Sequence, residues 1–390
     1  MIYLDHAAAT PVDKKALLSM MPYFADQFFN PSSPYLPANH VRDHYEYAKG
    51  QIAHTIGAKG ADLVITSGAT EATNLAFTAA TTAMEHAVAP EILILATEHA
   101  SVRAAAIATG AKVVEIKVGR TGLIDLNDFR RKLTGNTVFV SVALVNNELG
   151  TIQPLAEIAE IIRAERARRL GVQNTTPLYF HSDASQALNC LDVNVARLGV
   201  DLLTISSAKI GGPKGVGALY VGHGIKLKPL IAGGGQEAGL RSGTENVPGV
   251  IGFAAAAVSA KEHTNGNRKK YENLAGILRA ELEKAVVSPL FLHDKKHHLS
   301  SFVPVSFPGI DAERLIYKLE EQEVYLATGA ACAANKGTKS HVLTAAGLSD
   351  AEIAGSLRIT LGPLNTEDDM RRAGQLIVAA VNEEFERCRK

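Results

Sequence analysis

Short apolar runs alternate regularly with helical patterns along this chain. Seven runs are rich in Val, Ile and Leu, without clean alternation of apolar and polar residues: Asp62–Thr66, Ile92–Ala96, Lys112–Lys117, Val138–Leu144, Leu178–Asp183, Leu202–Ser207 and Gly217–Val221. Such strands are buried on both faces, as in a parallel sheet covered by helices. Helices are predicted between several of them, over Ala69–Ala83, Ser101–Thr109, Leu126–Leu133 and Leu155–Leu170. The alternation predicts a doubly wound α/β domain.

The pattern changes near residue 245. A helical stretch covers Val250–Ala260 and resumes over Arg268–Val286, and Asn265-Gly266-Asn267 predicts a break between the two. The remaining elements are predicted strands and helices, over Leu290–His293, Phe302–Phe307 and Leu357–Leu361 and over Ala312–Glu321 and Thr366–Arg389. We therefore expect a large α/β domain over residues 13–250 and a smaller α+β domain formed by residues 1–12 and 251–390.

Charge and cysteine content narrow the class of protein. The 390 residues contain 40 Lys plus Arg and 40 Asp plus Glu, whereas nucleic-acid and anionic-membrane binders usually carry a basic excess. The most apolar stretch, Val250–Ala260, is too short to span a bilayer. Three cysteines that lie far apart favour a reducing compartment over a disulfide framework, and residues 1–6 lack the features of a signal peptide. We expect a cytoplasmic protein that contacts neither membrane nor nucleic acid directly.

Polar residues follow four of the predicted strands, and ligands of open α/β sheets bind at the carboxyl ends of strands. The segments are Thr66–Glu71, Thr97–Ser101, His181–Gln186 and Ser206–Lys209. In the first, helix amides and the Thr70 hydroxyl could bind a phosphate, although an ordinary N-cap has the same composition. In the second, His99 could stack on a planar cofactor or move protons, or could simply form a loop hydrogen bond.

The other two strand ends carry an acid and an amine. Asp183 ends a buried strand and needs a partner, which a protonated ring nitrogen or a helix N-terminus could provide. Lys209 could form a Schiff base, or could extend to the surface; Lys214 lies inside a Gly-Pro-Lys-Gly turn and suits that role less well. Together with a phosphate cup and a histidine, this is the set of residues that pyridoxal phosphate requires.

Two further residues could act on a substrate. Cys332 lies among small residues in a predicted loop, where a thiol can act as a nucleophile, although free cysteines are more often buried. The guanidinium of Arg358 suits a carboxylate. We find no spacing of metal ligands and expect no metal site.

Taken in order, these blocks resemble the cysteine desulfurases of the NifS/IscS type, which are class V, fold-type I pyridoxal phosphate enzymes. The resemblance runs nearly from end to end, through Tyr3–Thr10, Asn30–Ser33, Thr66–Glu71, Thr97–His99, Val145–Gly150, His181–Gln186, Ser206–Lys209, Gly212–Gly215, Gly233–Thr244, Gly329–Cys332 and Ser340–Leu343. It implies a mainly parallel seven-stranded sheet in the large domain, and a small domain that carries the loop with the catalytic cysteine.

The resemblance also implies roles around the cofactor ring. Lys209 would hold pyridoxal 5'-phosphate as an imine and then move protons. Asp183 would pair with the pyridinium nitrogen, and His99 would stack on the ring and help in proton transfer. Gln186 and Asn147 would contact the O3′ side of the ring.

The phosphate of the cofactor would be bound by residues from two subunits. Thr70, the backbone around Ala69 and the Ser206 hydroxyl would hold it within one subunit. Thr244 would reach the phosphate of the neighbouring subunit, which implies a homodimer with shared active sites.

On the substrate side, the resemblance implies that Arg358 and Asn30 bind the carboxylate of L-cysteine. Cys332 would attack the substrate sulfur, which leaves an enzyme persulfide and releases L-alanine. The sulfur would go to iron–sulfur cluster assembly or to tRNA thiolation, through an iron–sulfur scaffold or another sulfur-acceptor protein.

Several positions depart from the usual family pattern. Ala208 stands where a histidine normally contacts the phosphate, which predicts weaker cofactor binding. Tyr35 replaces a common His, Pro363 a common Arg, and Ala330-Ala331 the usual Ser-Ala. None of these residues makes or breaks a bond in the expected reaction.

Two other functions fit the sequence. The chain could be another class V enzyme, a selenocysteine lyase or an aminotransferase, in which Cys332 is dispensable. It could also be a partner-binding relative with a decayed cofactor site, as Ala208 would suggest, but Lys209, Asp183 and His99 argue against this.

Overall fold

The computed structural model describes residues 1–294, 296–329 and 339–389. The α-helices are α1 Lys14–Met20, α2 Pro22–Ala25, α3 Leu36–Thr55, α4 Ala69–Met84, α5 Ala100–Ala108, α6 Leu126–Lys132, α7 Leu155–Gly171, α8 Val195–Leu198, α9 Val247–Leu282, α10 Ala312–Glu321, α11 His341–Ala345, α12 Asp350–Ala354 and α13 Glu367–Cys388. The strands are β1 Ile2–Tyr3, β2 Leu63–Thr66, β3 Glu91–Leu95, β4 Lys112–Ile116, β5 Thr137–Ser141, β6 Tyr179–Asp183, β7 Leu202–Ser206, β8 Gly217–Val221, β9 Leu290–Phe291, β10 Phe302–Ser306, β11 Val324–Tyr325, β12 Ala327–Thr328 and β13 Ser356–Thr360.

The predicted seven-stranded, mainly parallel sheet is confirmed. Its strand order is β2-β8-β7-β6-β5-β3-β4. Strand β8 is antiparallel to both of its neighbours, and the other strand pairs are parallel. Because β8 reverses direction between them, β2 and β7 point the same way. The carboxyl ends of β2, β3, β5, β6 and β7 therefore meet at one edge of the sheet.

Helices bury both faces of this sheet, as the apolar strands predicted. All residues of β5 and β7 are buried. On one face, the alanine-rich helix α4 contributes Ala72, Ala76 and Phe77 to a cluster with β3, and α5 packs beside it. On the other face, Ile158 and Ile162 of α7 belong to the main core. Alanines let α4 approach the strands closely, which fixes the position of its N-terminus at the sheet edge.

A second sheet lies in the carboxyl-terminal part, with the antiparallel order β12-β13-β10-β9. The first residues of the chain contact this part: β1 pairs with β11 in a separate two-stranded sheet, and Asp5 bridges to Thr360 of β13. The division into domains near residue 250 remains a prediction, because α9 continues across that position. No helix in the described ranges is long and apolar enough to cross a membrane.

The predicted helix break at Asn265-Gly266-Asn267 is wrong. Helix α9 runs unbroken over 36 residues, from the Asn246 cap to Leu282. Its buried positions continue with helical spacing on both sides of Gly266, through Ala257 and Ala260 to Tyr271 and Leu274. Packing against α3 and α13 outweighs the weak helix preference of these three residues.

Helix α3 is an element that we did not predict. It spans 20 residues, and its buried side chains include Ala38, Val41, Tyr45, Ala48 and Ile52. These positions recur at intervals of three and four residues, the pattern of one buried helix face. That spacing was the available signal, although polar residues such as His40 and Asp43 interrupt it.

We predict that Gly266→Ala stabilises the protein by about 0.5–1 kcal/mol, because alanine costs less backbone entropy than glycine inside a helix. A Cβ at position 266 would meet no atom within 4 Å. Gly252→Ala in the same helix is the matched control, and it should destabilise because its Cβ would overlap the Met20 side chain. Chemical denaturation measures both changes. A loss of stability in Gly266→Ala would contradict a continuous helix.

Candidate active site

Strand β8 aligns the two segments that we expected to bind phosphate. Gly217 pairs with Thr66 of β2 on one side and with Ser206 of β7 on the other. A Cβ at Gly217 would lie 2.7 Å from the Cα of Gly68, so this glycine lets the turn after Thr66 lie directly over the strand. The turn and the Ser206 hydroxyl therefore share the same stretch of the sheet edge.

The turn after β2 leads into the N-terminus of α4, which begins at Ala69. The N-cap is Gly68, and no side chain caps the helix. The amides of the first turn thus remain available to an anion, and the helix dipole favours a negative charge there. Ala69 is half-buried and Thr70 is exposed, so both can be reached.

Asp183 ends β6, and its Oδ1 accepts a hydrogen bond from the Ser185 amide at 2.9 Å. Two residues earlier, on the same face of the strand, lies His181. Its ring nitrogens lie 2.9 Å from Ser141 Oγ on β5 and 3.0 Å from Thr204 Oγ1 on β7. Burial lowers the pKa of His181 to about 3, so the ring is neutral. We did not predict that His181 would link β5 and β7 through its ring, although its two-residue spacing from Asp183 was visible in the sequence.

Lys209 follows β7 in a single 3-10 turn, Ser207–Lys209. Its Nζ donates hydrogen bonds to the carbonyl oxygens of Ala7, at 2.9 Å, and Ala8. Gln186 Nε2 donates to the same Ala7 oxygen at 3.0 Å. The structure therefore brings Lys209 and Gln186 together against the amino-terminal segment.

Arg358 lies on β13, and only 5% of the residue is exposed. Its Nη2 lies 2.7 Å from Asp5 Oδ1, and its Nη1 donates to the Asn147 carbonyl oxygen at 3.4 Å. Its Nε is buried and has no hydrogen-bond partner among the residues described. The guanidinium thus connects the second sheet to the site and keeps one donor for an anion.

His99 is the N-cap of α5 and is half-buried. Its Nδ1 accepts a hydrogen bond from the Ser101 amide at 3.2 Å, so a ring hydrogen lies on Nε2. Glu98, directly before it, is fully buried, and its Oε1 accepts from the Ala143 amide at 2.6 Å. Burial raises the pKa of Glu98 well above its usual range, and the nearby charge of Asp183 adds to this effect. Glu98 is therefore a buried acid with a raised pKa, and no sequence signal beyond its position before His99 marks it.

Two predicted site residues that the structure describes lie outside this set of contacts. Asn30 is exposed, and its side chain accepts from the Ser32 amide at 2.9 Å. Thr244 is also exposed. In the described part of the chain, neither hydrogen-bonds to another predicted site residue. Cys332 lies outside the described residues.

Comparison with known proteins identifies the family. The sequence model of the Aminotransferase class-V family matches residues 2–372. The protein named Cysteine desulfurase IscS 1 of Archaeoglobus fulgidus is 38% identical over 392 residues, which cover 98% of this chain and 97% of that protein. The chain belongs to the class-V aminotransferase family. Within it, the chain is a member of the NifS/IscS-type cysteine desulfurases.

Solved structures agree with this assignment. A NifS-like protein has a TM-score of 0.89 and 29% identity, with 98% of this chain and 99% of that chain covered. SspA in complex with cysteine has a TM-score of 0.78 and 31% identity, with 94% of this chain and 100% of that chain covered. The expected fold-type I architecture is thereby confirmed.

Members of this family are pyridoxal phosphate enzymes, and the residues at the sheet edge fit that cofactor. The uncapped first turn of α4 and the Ser206 hydroxyl match a phosphate. The carboxylate of Asp183 matches a pyridinium nitrogen, and the amine of Lys209 lies on the adjacent strand end. The buried, unpartnered Nε of Arg358 matches a substrate carboxylate. The part of the site that can be described is thus complementary in charge to the cofactor and to an amino acid.

We predict a pH effect on stability from Glu148, which neighbours Asn147. Its Oε2 accepts a hydrogen bond from Ser340 Oγ at 2.6 Å, and burial raises its pKa from 4.5 to about 7. Because the folded state binds the proton more tightly, the stabilising contribution is present below pH 4.5 and is lost as pH rises through about 7. Glu148→Gln keeps an acceptor for Ser340 and removes the titration.

The melting temperature of Glu148→Gln should therefore fall less than that of wild type between about pH 5 and about pH 8.5. Glu262→Gln, at an exposed position of α9, is the control and should follow wild type. An identical pH dependence in Glu148→Gln and wild type would show that Glu148 does not titrate in this range.

Proposed function

We propose that this protein removes sulfur from L-cysteine, which gives L-alanine and a persulfide on Cys332. The observation that carries the proposal is the convergence of Lys209 and Arg358 on the amino-terminal segment. Lys209 Nζ lies 2.9 Å from the Ala7 oxygen, and Arg358 Nη2 lies 2.7 Å from Asp5 Oδ1. The guanidinium suits the carboxylate of an amino acid, while the Lys209 amine would hold the cofactor that takes up its amino group.

The residues of the site divide the work on the substrate. When bound, pyridoxal phosphate withdraws electrons from the substrate and so weakens the bonds at its α-carbon. Asp183 would hold a positive ring nitrogen, and Lys209 Nζ would carry a proton between the substrate carbons. His99 would stack on the ring and present its Nε2 hydrogen. Arg358 would fix the carboxylate, which orients the substrate for these transfers.

The proposed sulfur transfer needs no external oxidant. The thiolate of Cys332 would attack the substrate sulfur, so that an S–S bond forms as the C–S bond breaks. The electron pair of the C–S bond would stay with the substrate carbon, which then takes up a proton to become the methyl group of alanine. A thiolate is the reactive form of cysteine in such exchanges.

We further propose a homodimer with shared active sites. Helices α1 and α2 and the loop after α2 expose large apolar side chains, namely Leu17, Leu18, Met21, Phe24 and Phe28. A patch of this kind suits contact with a second copy of the chain. Thr244, which is exposed, would then contact the phosphate in the neighbouring subunit, while Ala69, Thr70 and Ser206 would hold it from their own subunit.

The free cysteines bear on where the protein works, and the reaction requires an acceptor for the sulfur. Cys190 is buried and Cys388 is exposed, and both are free thiols, which suits the reducing cytoplasm. The sulfur would pass to an iron–sulfur scaffold or another acceptor protein, for cluster assembly or tRNA thiolation. Asn30 would assist Arg358 in binding the substrate carboxylate.

The test is alanine formation from L-cysteine with added cofactor and a thiol reductant. We predict that Cys332→Ala keeps the visible absorbance of the bound cofactor but forms no alanine, because the acceptor of the sulfur is missing. Cys388→Ala, which removes an exposed thiol from α13, is the matched control and should retain wild-type activity. Undiminished alanine and sulfide from Cys332→Ala would instead identify a lyase that expels sulfur without this cysteine.

A further inference from the structure

The segment of residues 233–244 contains one buried charge. Five of its twelve residues are glycines, and Gly233, Gly234 and Gly235 are exposed. Its Glu237 side chain, however, is only 5% exposed. A buried carboxylate is costly unless it is paired and hydrogen-bonded, so the contacts of Glu237 show what holds the segment in place.

Three donors contact this carboxylate, two from helix α3 and one from strand β2. Tyr45 Oη donates to Glu237 Oε1 at 2.6 Å, and Lys49 Nζ lies 2.8 Å from Oε2. The Ile65 amide of β2 also donates to Oε2, at 2.8 Å. The Lys49 side chain is 9% exposed, so the ion pair is shielded from water. Burial and the Glu237 charge raise the pKa of Tyr45, which keeps its hydroxyl a donor.

The backbone at this point adopts a conformation that side chains rarely allow. Glu237 has φ +48° and Ala238 has φ +57°. Left-handed conformations are unfavourable for residues with a Cβ, and consecutive ones persist only where surrounding contacts impose them. The buried contacts of Glu237 provide that constraint.

A second attachment joins the same segment to the phosphate cup of its own subunit. Arg241 Nε donates to Glu71 Oε1 at 3.0 Å, and Glu71 Oε2 accepts from the Ser67 amide at 2.9 Å. Just beyond, Asn246 caps α9, with its Oδ1 accepting from the Gly249 amide at 3.1 Å. Thr244 is therefore an exposed residue between two anchored ones, Arg241, which pairs with Glu71, and Asn246, which caps α9.

We propose that Glu237 is a positioning residue for the cofactor site of the neighbouring subunit. Its buried carboxylate sets the strained backbone of residues 233–244 and so holds Thr244 where a phosphate of the second subunit can reach it. The inference rests on the proposed homodimer. If Glu237 had only a structural role, removing its carboxylate would affect its own subunit. The inference instead predicts weaker cofactor binding in the neighbouring subunit.

Mixed dimers in which only one subunit can hold the cofactor show whether Glu237 acts on its own subunit or on the neighbouring one. One subunit carries Lys209→Ala, so that borohydride can fix the cofactor only to Lys209 of the other. In the first mixed dimer, Glu237→Gln is in the subunit that keeps Lys209. In the second, Glu237→Gln is in the subunit with Lys209→Ala. The readout is the amount of cofactor fixed to Lys209 after increasing times of dialysis.

We expect cofactor loss to accelerate about tenfold, equivalent to about 1.4 kcal/mol, in the second mixed dimer only. Equal loss in both, or loss in the first alone, would overturn the inference and assign Glu237 to its own subunit. The control is Glu85→Gln, which removes an exposed pair with Lys228 and should change neither dimer. If Glu237→Gln does not fold, Glu237→Leu with Lys49→Met removes both buried charges and takes its place.

Light scattering on the holoenzyme separates this inference from the proposed homodimer on which it rests. A mass of 41.4 kDa, that of one subunit, would overturn both the homodimer and the role of Glu237. A dimer mass with no effect across the subunits would overturn the role of Glu237 alone.

Discussion

The site depends on the position of the amino-terminal segment between Lys209 and Arg358. The Lys209 amine donates to the carbonyl oxygens of Ala7 and Ala8, which places this segment across the end of β7, and Asp5 of the same segment pairs with Arg358. The segment reaches that position because β1 pairs with β11, far along the chain. One short stretch of backbone therefore joins the sheet edge to the second sheet.

The electrostatics of the edge follow from burial. Burial lowers the pKa of His181 to about 3, so its ring is neutral, and burial raises the pKa of Glu98 well above its usual range. Asp183 ends β6, two residues after His181. A carboxylate is stabilised by an adjacent cation, and a protonated ring nitrogen would provide one.

The sequence predicted local features well because strand burial and strand-end chemistry are local. The seven strands of the large sheet and the positions of Asp183 and Lys209 at its edge follow from short apolar runs and the residues after them. Helix α3 and the continuity of α9 could not be read in this way, because packing between distant helices decides them. The pairing of Asp5 with Arg358 joins residues 353 positions apart, and no local pattern encodes it. The same is true of Glu237, whose partners lie on α3 and β2.

We propose that the Lys209 amine at the end of β7 holds the cofactor. Borohydride reduction of the protein with bound pyridoxal phosphate, followed by peptide mass spectrometry, tests this. We expect a pyridoxyl group on Lys209 and on no other lysine. A pyridoxyl group on Lys214, or bound cofactor that borohydride fixes to no lysine at all, would contradict it.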